Sequence, residues 1–375
     1  MESFIELRHW LHQHPELSGR EFKTSEKIRD FVDQYNPSTI LQLGSTAVVV
    51  VFDSGMAGKT TMIRAELDGL PIIENSSVAY QSSVKGVAHL CGHDGHMSIL
   101  AGLAQKLYQQ PIQRGKVVLL FQPAEETGQG ANEVINEQLF KEVTPDYIFA
   151  LHNVPGFEKH KILLRDNAFS AASKGMTIQL HGRTSHAAEP ENGITPARAV
   201  ADLIYAFDAV SRNGLEGVDE MVLATVIHVE LGEIAFGTSP GYAEVRTTLR
   251  TQTNAALDLL IRHAERLISD IVKTNELQAE ISYCEYFPAT ENDVACNDLI
   301  RRVAIENGYA TVDLPEPFRW SEDFGFFTQQ YTGALFGLGS GLKQPPLHHP
   351  GFDFPDDLIE TGVNLFEKII RTINN

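Results

Sequence analysis

The chain has 375 residues, above the size at which a single hydrophobic core usually stops growing, so two domains are expected. Its 43% hydrophobic content argues against disorder, and its net charge of −19 sets it against nucleic acid and anionic membrane surfaces as partners. Cys91, Cys284 and Cys296 are too few, and odd in number, for a disulfide framework. No basic segment precedes an apolar run at the start, and no apolar stretch nears the roughly 18–20 residues that span a bilayer, so a cytoplasmic protein is expected.

Phe4, Leu7, Trp10 and Leu11 recur at helical spacing, as do Ile28, Phe31 and Val32, and predict two opening helices. Two runs rich in β-formers follow, Val48–Phe52 and Thr61–Ala65, then an apolar helix at Ile99–Leu107. Val117–Phe121 reads as a buried strand, 134–140 as a helical piece and Tyr147–Leu151 as another strand. This alternation predicts an α/β domain: a mostly parallel sheet with helices on both faces.

From about Ser170 the pattern changes. Strands are expected at Gly175–Leu180, Met221–Val229, Tyr242–Leu249 and Glu280–Tyr283, with helices at Pro196–Val210 and Ala255–Val272. Strand-helix-strand-strand-helix-strand suits a small α+β sandwich of ferredoxin-like type. After Pro288 the α/β pattern returns, with helix 293–306, strand Ala334–Phe336 and helix Leu358–Ile373. The expected organisation is a catalytic domain, 1–169 and 287–375, interrupted by an inserted domain, 170–286. The run Gly337-Leu338-Gly339-Ser340-Gly341 lacks the Lys-Ser/Thr of a phosphate loop and reads as a flexible turn.

The densest chemistry lies in His89-Leu90-Cys91-Gly92-His93-Asp94-Gly95-His96. Thiolate and imidazole are favoured ligands of zinc and its neighbours, and the glycines let the backbone turn so that side chains converge. A structural zinc site would want a second cysteine at Cys-x-x-Cys spacing, so a mixed N/O/S site with open positions fits better. Glu125 and Glu126 follow the strand Val117–Phe121, at a carboxyl end where open α/β sheets place their sites; one can ligate while its neighbour faces a reacting water. His152 follows the strand Tyr147–Leu151 at the same kind of terminus. His348 and His349 come after a Gly- and Pro-rich loop, and either is a distant further ligand. His186, in Gly182-Arg183-Thr184-Ser185-His186-Ala187-Ala188, lies in the inserted domain and reaches such a site only by domain closure or from a partner subunit.

Eight stretches occur in an order that resembles the amidohydrolase branch of the aminoacylase and carboxypeptidase G metallopeptidase family, which includes hippurate hydrolases and indoleacetyl-amino-acid hydrolases. They are His12-Gln13-His14-Pro15-Glu16-Leu17, Arg64-Ala65-Glu66-Leu67-Asp68-Gly69-Leu70-Pro71, Cys91 to His96, Phe121 to Glu126, Ala150-Leu151-His152, Ser185 to Ala188, Glu322-Asp323-Phe324 and Leu347-His348-His349-Pro350. The resemblance implies two divalent metal ions (Zn, Mn, Co or Ni) about 3.5–4 Å apart. It makes Cys91, His93, Glu126, His152 and His348 the ligands, Glu125 the general base and acid, and His186 the group that polarises the scissile carbonyl. Asp68 would orient a ligating imidazole. Homodimer contact through the inserted domain is implied, as are small amide substrates such as N-acyl amino acids. Two positions depart from the family pattern: Glu66 stands where Asp is usual, and Gly237-Thr238-Ser239-Pro240 replaces an Asn-x-Ile-Pro motif. The same residues admit three rival functions: a metallo-carboxypeptidase or dipeptidase, a thiol hydrolase using Cys91 and His93, and a non-catalytic metal- or small-molecule-binding protein.

Overall fold

Runs of β-branched and aromatic residues, each buried on both sides, build the centre of the larger of two units. A computed structural model describes residues 1–375. The larger unit comprises Met1–Phe169, Thr290–Pro317 and Glu322–Asn375, and the smaller Ser170–Ala289 with Phe318–Ser321. In the larger unit the strand order is Thr39–Leu43, Ala47–Asp53, Lys116–Gln122, Thr60–Glu66, Tyr147–Pro155, Thr332–Gly341, Ile162–Leu164, Thr311–Asp313. The four central strands are mutually parallel, with antiparallel pairs towards the edges. Parallel strands covered on both faces need apolar side chains on both, and Val117 to Phe121 supply them without alternation. Val117, Leu119 and Phe121 pack with helices Glu2–Gln13, His93–Gln109 and Leu358–Asn374, while the short helices Gly130–Asn136 and Gly325–Thr328 lie on the other face.

The mostly parallel sheet read from the sequence is present, with several local differences. The Gly337–Gly341 run is not a turn but the end of the strand Thr332–Gly341, paired in parallel with Tyr147–Pro155. Its glycines serve close approach: a Cβ at Gly339 would lie 2.1 Å from the Glu158 carbonyl oxygen. That ladder also extends the neighbouring strand through Pro155, so His152 lies within a strand, opposite Gly337, rather than after one. The helical piece expected at 134–140 is broken: Gly130–Asn136 is α-helical, Glu137 is extended, and a 3₁₀ turn follows at Gln138–Glu142.

The smaller unit is a four-stranded antiparallel sheet in the order Val222–Leu231, Tyr242–Thr251, Ala172–His181, Gln278–Phe287, covered by helices Ala197–Asn213 and Asn254–Thr274. In chain order that is second, third, first, fourth, the ferredoxin-like arrangement. Leu257, Leu260, Ala264 and Ile268 form the buried stripe of the longer helix, and Thr253 caps its start by accepting from the Ala256 amide at 3.3 Å. The segment Phe318–Ser321 joins this unit because the Ala171 amide donates to the carbonyls of Phe318 and Trp320 at 3.0 and 3.1 Å.

Candidate active site

Glu66 and Gln122 end their central parallel strands, His152 lies in the carboxyl-terminal half of its own, and the helix His93–Gln109 starts beside them. Gly92 makes that start possible. Its φ of 97° is open to glycine, and a Cβ there would sit 2.2 Å from Asn153 Oδ1. The chain therefore turns tightly from Cys91 into His93. The Pro123–Ala124 turn does the same for the two glutamates, with Ala124 at φ 51° and its amide held by Glu21 Oε1 at 2.9 Å.

The expected ligands converge. Ligand atoms of Cys91, His93 and His152 lie within 4.8 Å of one another, as do those of Cys91, Glu126 and His348, so two triads share Cys91. Cys91 Sγ is 3.5 Å from His152 Nε2, and His348 Nε2 is 3.5 Å from Glu126 Oε2. His93 Nε2 is 3.8 Å from Glu125 Oε2 and 3.9 Å from Glu126 Oε1. Of the two adjacent histidines, His348 joins the cluster, whereas His349 Nδ1 accepts from the Gly351 amide at 3.0 Å. His348 adopts φ 65°, and its amide donates to the Leu90 carbonyl at 2.9 Å, which fixes it against the Cys91 segment.

The donor set fits divalent metal. His93 Nε2 and Glu126 Oε1 are buried with no hydrogen-bond partner. Leaving such atoms unpaired costs on the order of 1–3 kcal/mol each, and a cation between them removes that cost. Ligands about 2.0–2.3 Å from a tetrahedral metal lie roughly 3.3–3.8 Å apart, close to the spacings found here. The charge balance points the same way. Burial pushes the Cys91 thiol well up, and Glu126, Glu125, Glu322 and Glu66 add to it. Burial together with Glu322, Glu126 and Asp323 holds Glu125 well above the usual carboxylate range. Burial opposes charge on His93, but its hydrogen bond to Asp68 and the carboxylates of Glu66 and Glu126 outweigh this and raise it to about 10. A surplus of buried negative charge is what a divalent cation neutralises.

Asp68 lies behind the cluster. His93 Nδ1 donates to its carbonyl at 2.8 Å, with Asp68 Oδ1 3.5 Å away, and Asp68 Oδ2 accepts from Ser18 Oγ at 2.6 Å and the Glu126 amide at 3.0 Å. Asp94 has turned to another task. It binds Arg8 and His12, each at 2.8 Å, beneath the first turn of its helix. His186 lies in the smaller unit on a two-residue strand paired with Thr238–Ser239, the segment that departs from the family pattern. It is exposed, and its Nδ1 accepts from the Ala188 amide at 3.0 Å.

In the thiol-hydrolase reading Cys91 would pair with His93, which lies within 4.8 Å of it, but the hydrogen-bond contact of Cys91 is with His152. Cys91 faces His152, whose basicity burial and then His96 push down to about 3, and a thiol raised by burial is a poor nucleophile. Four further groups near the site, Arg64, His96, Glu322 and Asp323, lie in the stretches that carry the resemblance. Arg64 is buried and bonds Glu322 Oε1 at 2.8 Å and Asp323 Oδ1 at 2.6 Å, and it pairs with Glu66. Glu66, with its extra methylene, also reaches His96 Nδ1 at 2.6 Å. Beyond the family resemblance of their stretches, the signal in the sequence was charge inside apolar strand grammar, at Arg64 and Glu66.

Residues 62–372 match the family model described as Peptidase family M20/M25/M40. The chain is 30% identical to an uncharacterized hydrolase of Staphylococcus saprophyticus, over 99% of this chain and 97% of that relative. Its fold is similar to that of the Bacillus subtilis YXEP protein, a dinuclear metal binding peptidase from the M20 family, with 26% identity, a TM-score of 0.85, and 99% and 97% of the two chains covered. A structure from methicillin-resistant Staphylococcus aureus superposes at a TM-score of 0.92 with 25% identity, covering 100% and 97%. Fold, cluster and likenesses define a hydrolase acting on amide or peptide bonds. The chain belongs to Peptidase family M20/M25/M40. No helix is long and apolar enough to cross a membrane.

Proposed function

We propose that this chain hydrolyses the amide bond of N-acyl amino acids or related small conjugates, with two divalent cations held by Cys91, His93, Glu126, His152 and His348. One observation carries the reading: two ligand triads share Cys91 and contain buried atoms without partners, while Glu125, next in sequence to a ligand, is left uncommitted beside them. Bound there, divalent cations supply Lewis acidity towards a carbonyl and lower the pKa of water towards neutrality. Glu125 takes the proton of the attacking water and returns it to the leaving amine. Asp68 holds the His93 ring so that Nε2 points into the cluster. His186 polarises the scissile carbonyl. The metals are Zn, Mn, Co or Ni, and the protein is cytoplasmic; the three cysteines are all free, which suits a reducing compartment.

The smaller unit is the homodimer contact in this reading. Its edge strand Val222–Leu231 leaves Ile227 63% exposed, and Ile234 and Phe236 just beyond it are fully exposed. Long exposed apolar edges pair with another chain or are covered.

The test is a hydrolysis panel of N-acetyl, N-benzoyl and indoleacetyl amino acids alongside dipeptides, with Mn, Zn, Co or Ni added and a chelator control. Turnover of the acyl amino acids that stops with chelator is expected. Cleavage of dipeptides alone replaces the substrate class with the peptidase one. Activity that survives chelator but dies on alkylation would sink the metal reading altogether. His186 is tested by mixing His186→Ala with Glu125→Gln: recovered activity through hybrid dimers places its action across subunits, and no recovery despite subunit exchange places it within one.

A further inference from the structure

One guanidinium links the segments on the proton-handling side of the site. Arg64 lies in the strand Thr60–Glu66 with its side chain fully buried. Nε donates to Gln122 Oε1 at 2.8 Å, Nη1 donates to Glu66, and Nη2 donates to both Glu322 Oε1 at 2.8 Å and Asp323 Oδ1 at 2.6 Å. Asp323 is further fixed by Gln122 Nε2 at 2.8 Å and the Ala131 amide at 2.9 Å. Glu322 Oε1 also accepts from the Phe324 amide at 3.3 Å. One carboxylate oxygen from each of Glu125, Glu322 and Asp323 lies within 4.8 Å of the other two.

Glu125 thus sits beside a buried arginine with which it makes no hydrogen bond. This is unusual, because an Arg–carboxylate pair is among the strongest contacts available to a buried glutamate. A Glu125 bound to Arg64 would be turned away from His93 and would hold its lone pairs in the wrong place to take a proton from water. Four of the five N–H groups of Arg64 already have acceptors, and both on Nη2 are taken, by Glu322 and Asp323. Asp323 has two other donors to hold it, whereas the charged partner of Glu322 is Arg64 alone. Stability is a weak explanation for so many buried charges, since well-packed apolar groups often replace them without loss.

Resting on the reading of Glu125 as the proton carrier, we propose that Glu322 is a positioning residue: by occupying Arg64 it keeps the guanidinium from capturing Glu125, and so leaves that carboxylate facing His93 and Glu126. The place of Glu125 is the first readout. In crystals of Glu322→Ala, a Glu125 oxygen is expected within about 2.7–2.9 Å of Arg64 Nη2. On the substrate found in the panel, kcat is expected to fall ~100-fold, the scale of a 1 Å misplacement, with KM little changed. Glu322→Gln keeps a neutral acceptor for Nη2, so it is expected to move Glu125 less and to recover part of kcat. It also serves if the alanine variant does not fold. Glu125 staying within about 0.5 Å of its wild-type place in the folded variant would overturn the proposal, whether or not Tm or kcat has dropped. The crystallographic readout stands even if no N-acyl amino acid proves to be a substrate.

Discussion

His93 donates a hydrogen bond from Nδ1 to the main-chain carbonyl of Asp68 at 2.8 Å, and this orients the ring so that Nε2 faces Glu125 and Glu126. The Asp68 carboxylate adds charge 3.5 Å away and anchors the Glu126 amide at 3.0 Å, so one side chain serves two proposed ligands. Replacing Asp68 with Ala should therefore weaken metal binding by roughly 10–100-fold. Titration of the metal-free protein with Mn or Zn reads this directly. Unchanged affinity would remove the Asp68 side chain from the ligand-orienting role and leave it to the main-chain carbonyl.

Glu125→Gln separates ligation from proton transfer. The amide keeps the volume and loses the base, so kcat should fall ~10²–10⁴-fold while metal content per chain stays at the wild-type value. Turnover close to wild type would move the proton chemistry to another group. Metal loss in step with activity would make Glu125 a ligand instead, an outcome its place within 4.8 Å of His93 and Glu126 makes worth measuring.

Local clustering is what the sequence displays well. Cys91 and His93 converge because a glycine between them turns the chain, and Glu125 and Glu126 stand at the end of a strand whose apolar run is plain. Choosing between His348 and His349 needed tertiary structure, since the choice rests on a positive φ and a hydrogen bond to Leu90, far away in sequence. The Arg64–Glu322 pair bridges 258 residues, and no period or spacing announces it. The Gly337–Gly341 run misled for a related reason: glycine signals a turn locally, but here it makes room for the Glu158 backbone and for the side chains of Leu163 and Val154 beside the strand.

Acid–base behaviour should show first in stability, through His12. Its ring is buried between Asp94 Oδ2 at 2.8 Å and Glu74 Oε1 at 3.2 Å. Burial disfavours the charged ring, but hydrogen bonds to Asp94 and Glu74 outweigh it and raise the pKa from 6.5 to about 9. A raised histidine stabilises the fold fully below its unfolded value and loses that contribution as pH climbs through the folded one. Tm should thus decline between pH 6.5 and about 9, and His12→Gln should flatten that part of the profile. An equally steep decline in the variant would assign the pH dependence elsewhere.

Self-association should depend on the edge of the smaller unit. Ile227 is 63% exposed on the strand Val222–Leu231, and a lysine there places charge on the edge in the way natural sheets block pairing. Ile227→Lys should shift the mass in light scattering from dimer to monomer, with the circular dichroism spectrum unchanged. A variant that stays dimeric would put the contact on another surface.

Gly92 tests how far the metal site depends on one turn. Two glycines have similar positive φ, 97° at Gly92 and 79° at Gly308, but a Cβ at Gly308 meets nothing within 4 Å whereas one at Gly92 meets Asn153 Oδ1 at 2.2 Å. Both alanine variants carry the backbone penalty of about 1–3 kcal/mol. Only Gly92→Ala must also displace the Asn153 side chain or the start of the helix that carries His93. Asn153 follows His152, so relief by either route shifts a proposed ligand. The two variants should lose comparable Tm from the backbone term, with the excess at Gly92 accompanied by weaker metal binding, while Gly308→Ala keeps wild-type metal affinity. Equal metal affinity in both would mean that the site tolerates movement of the Cys91–His93 turn, and ligation would then rest mainly on Glu126, His152 and His348.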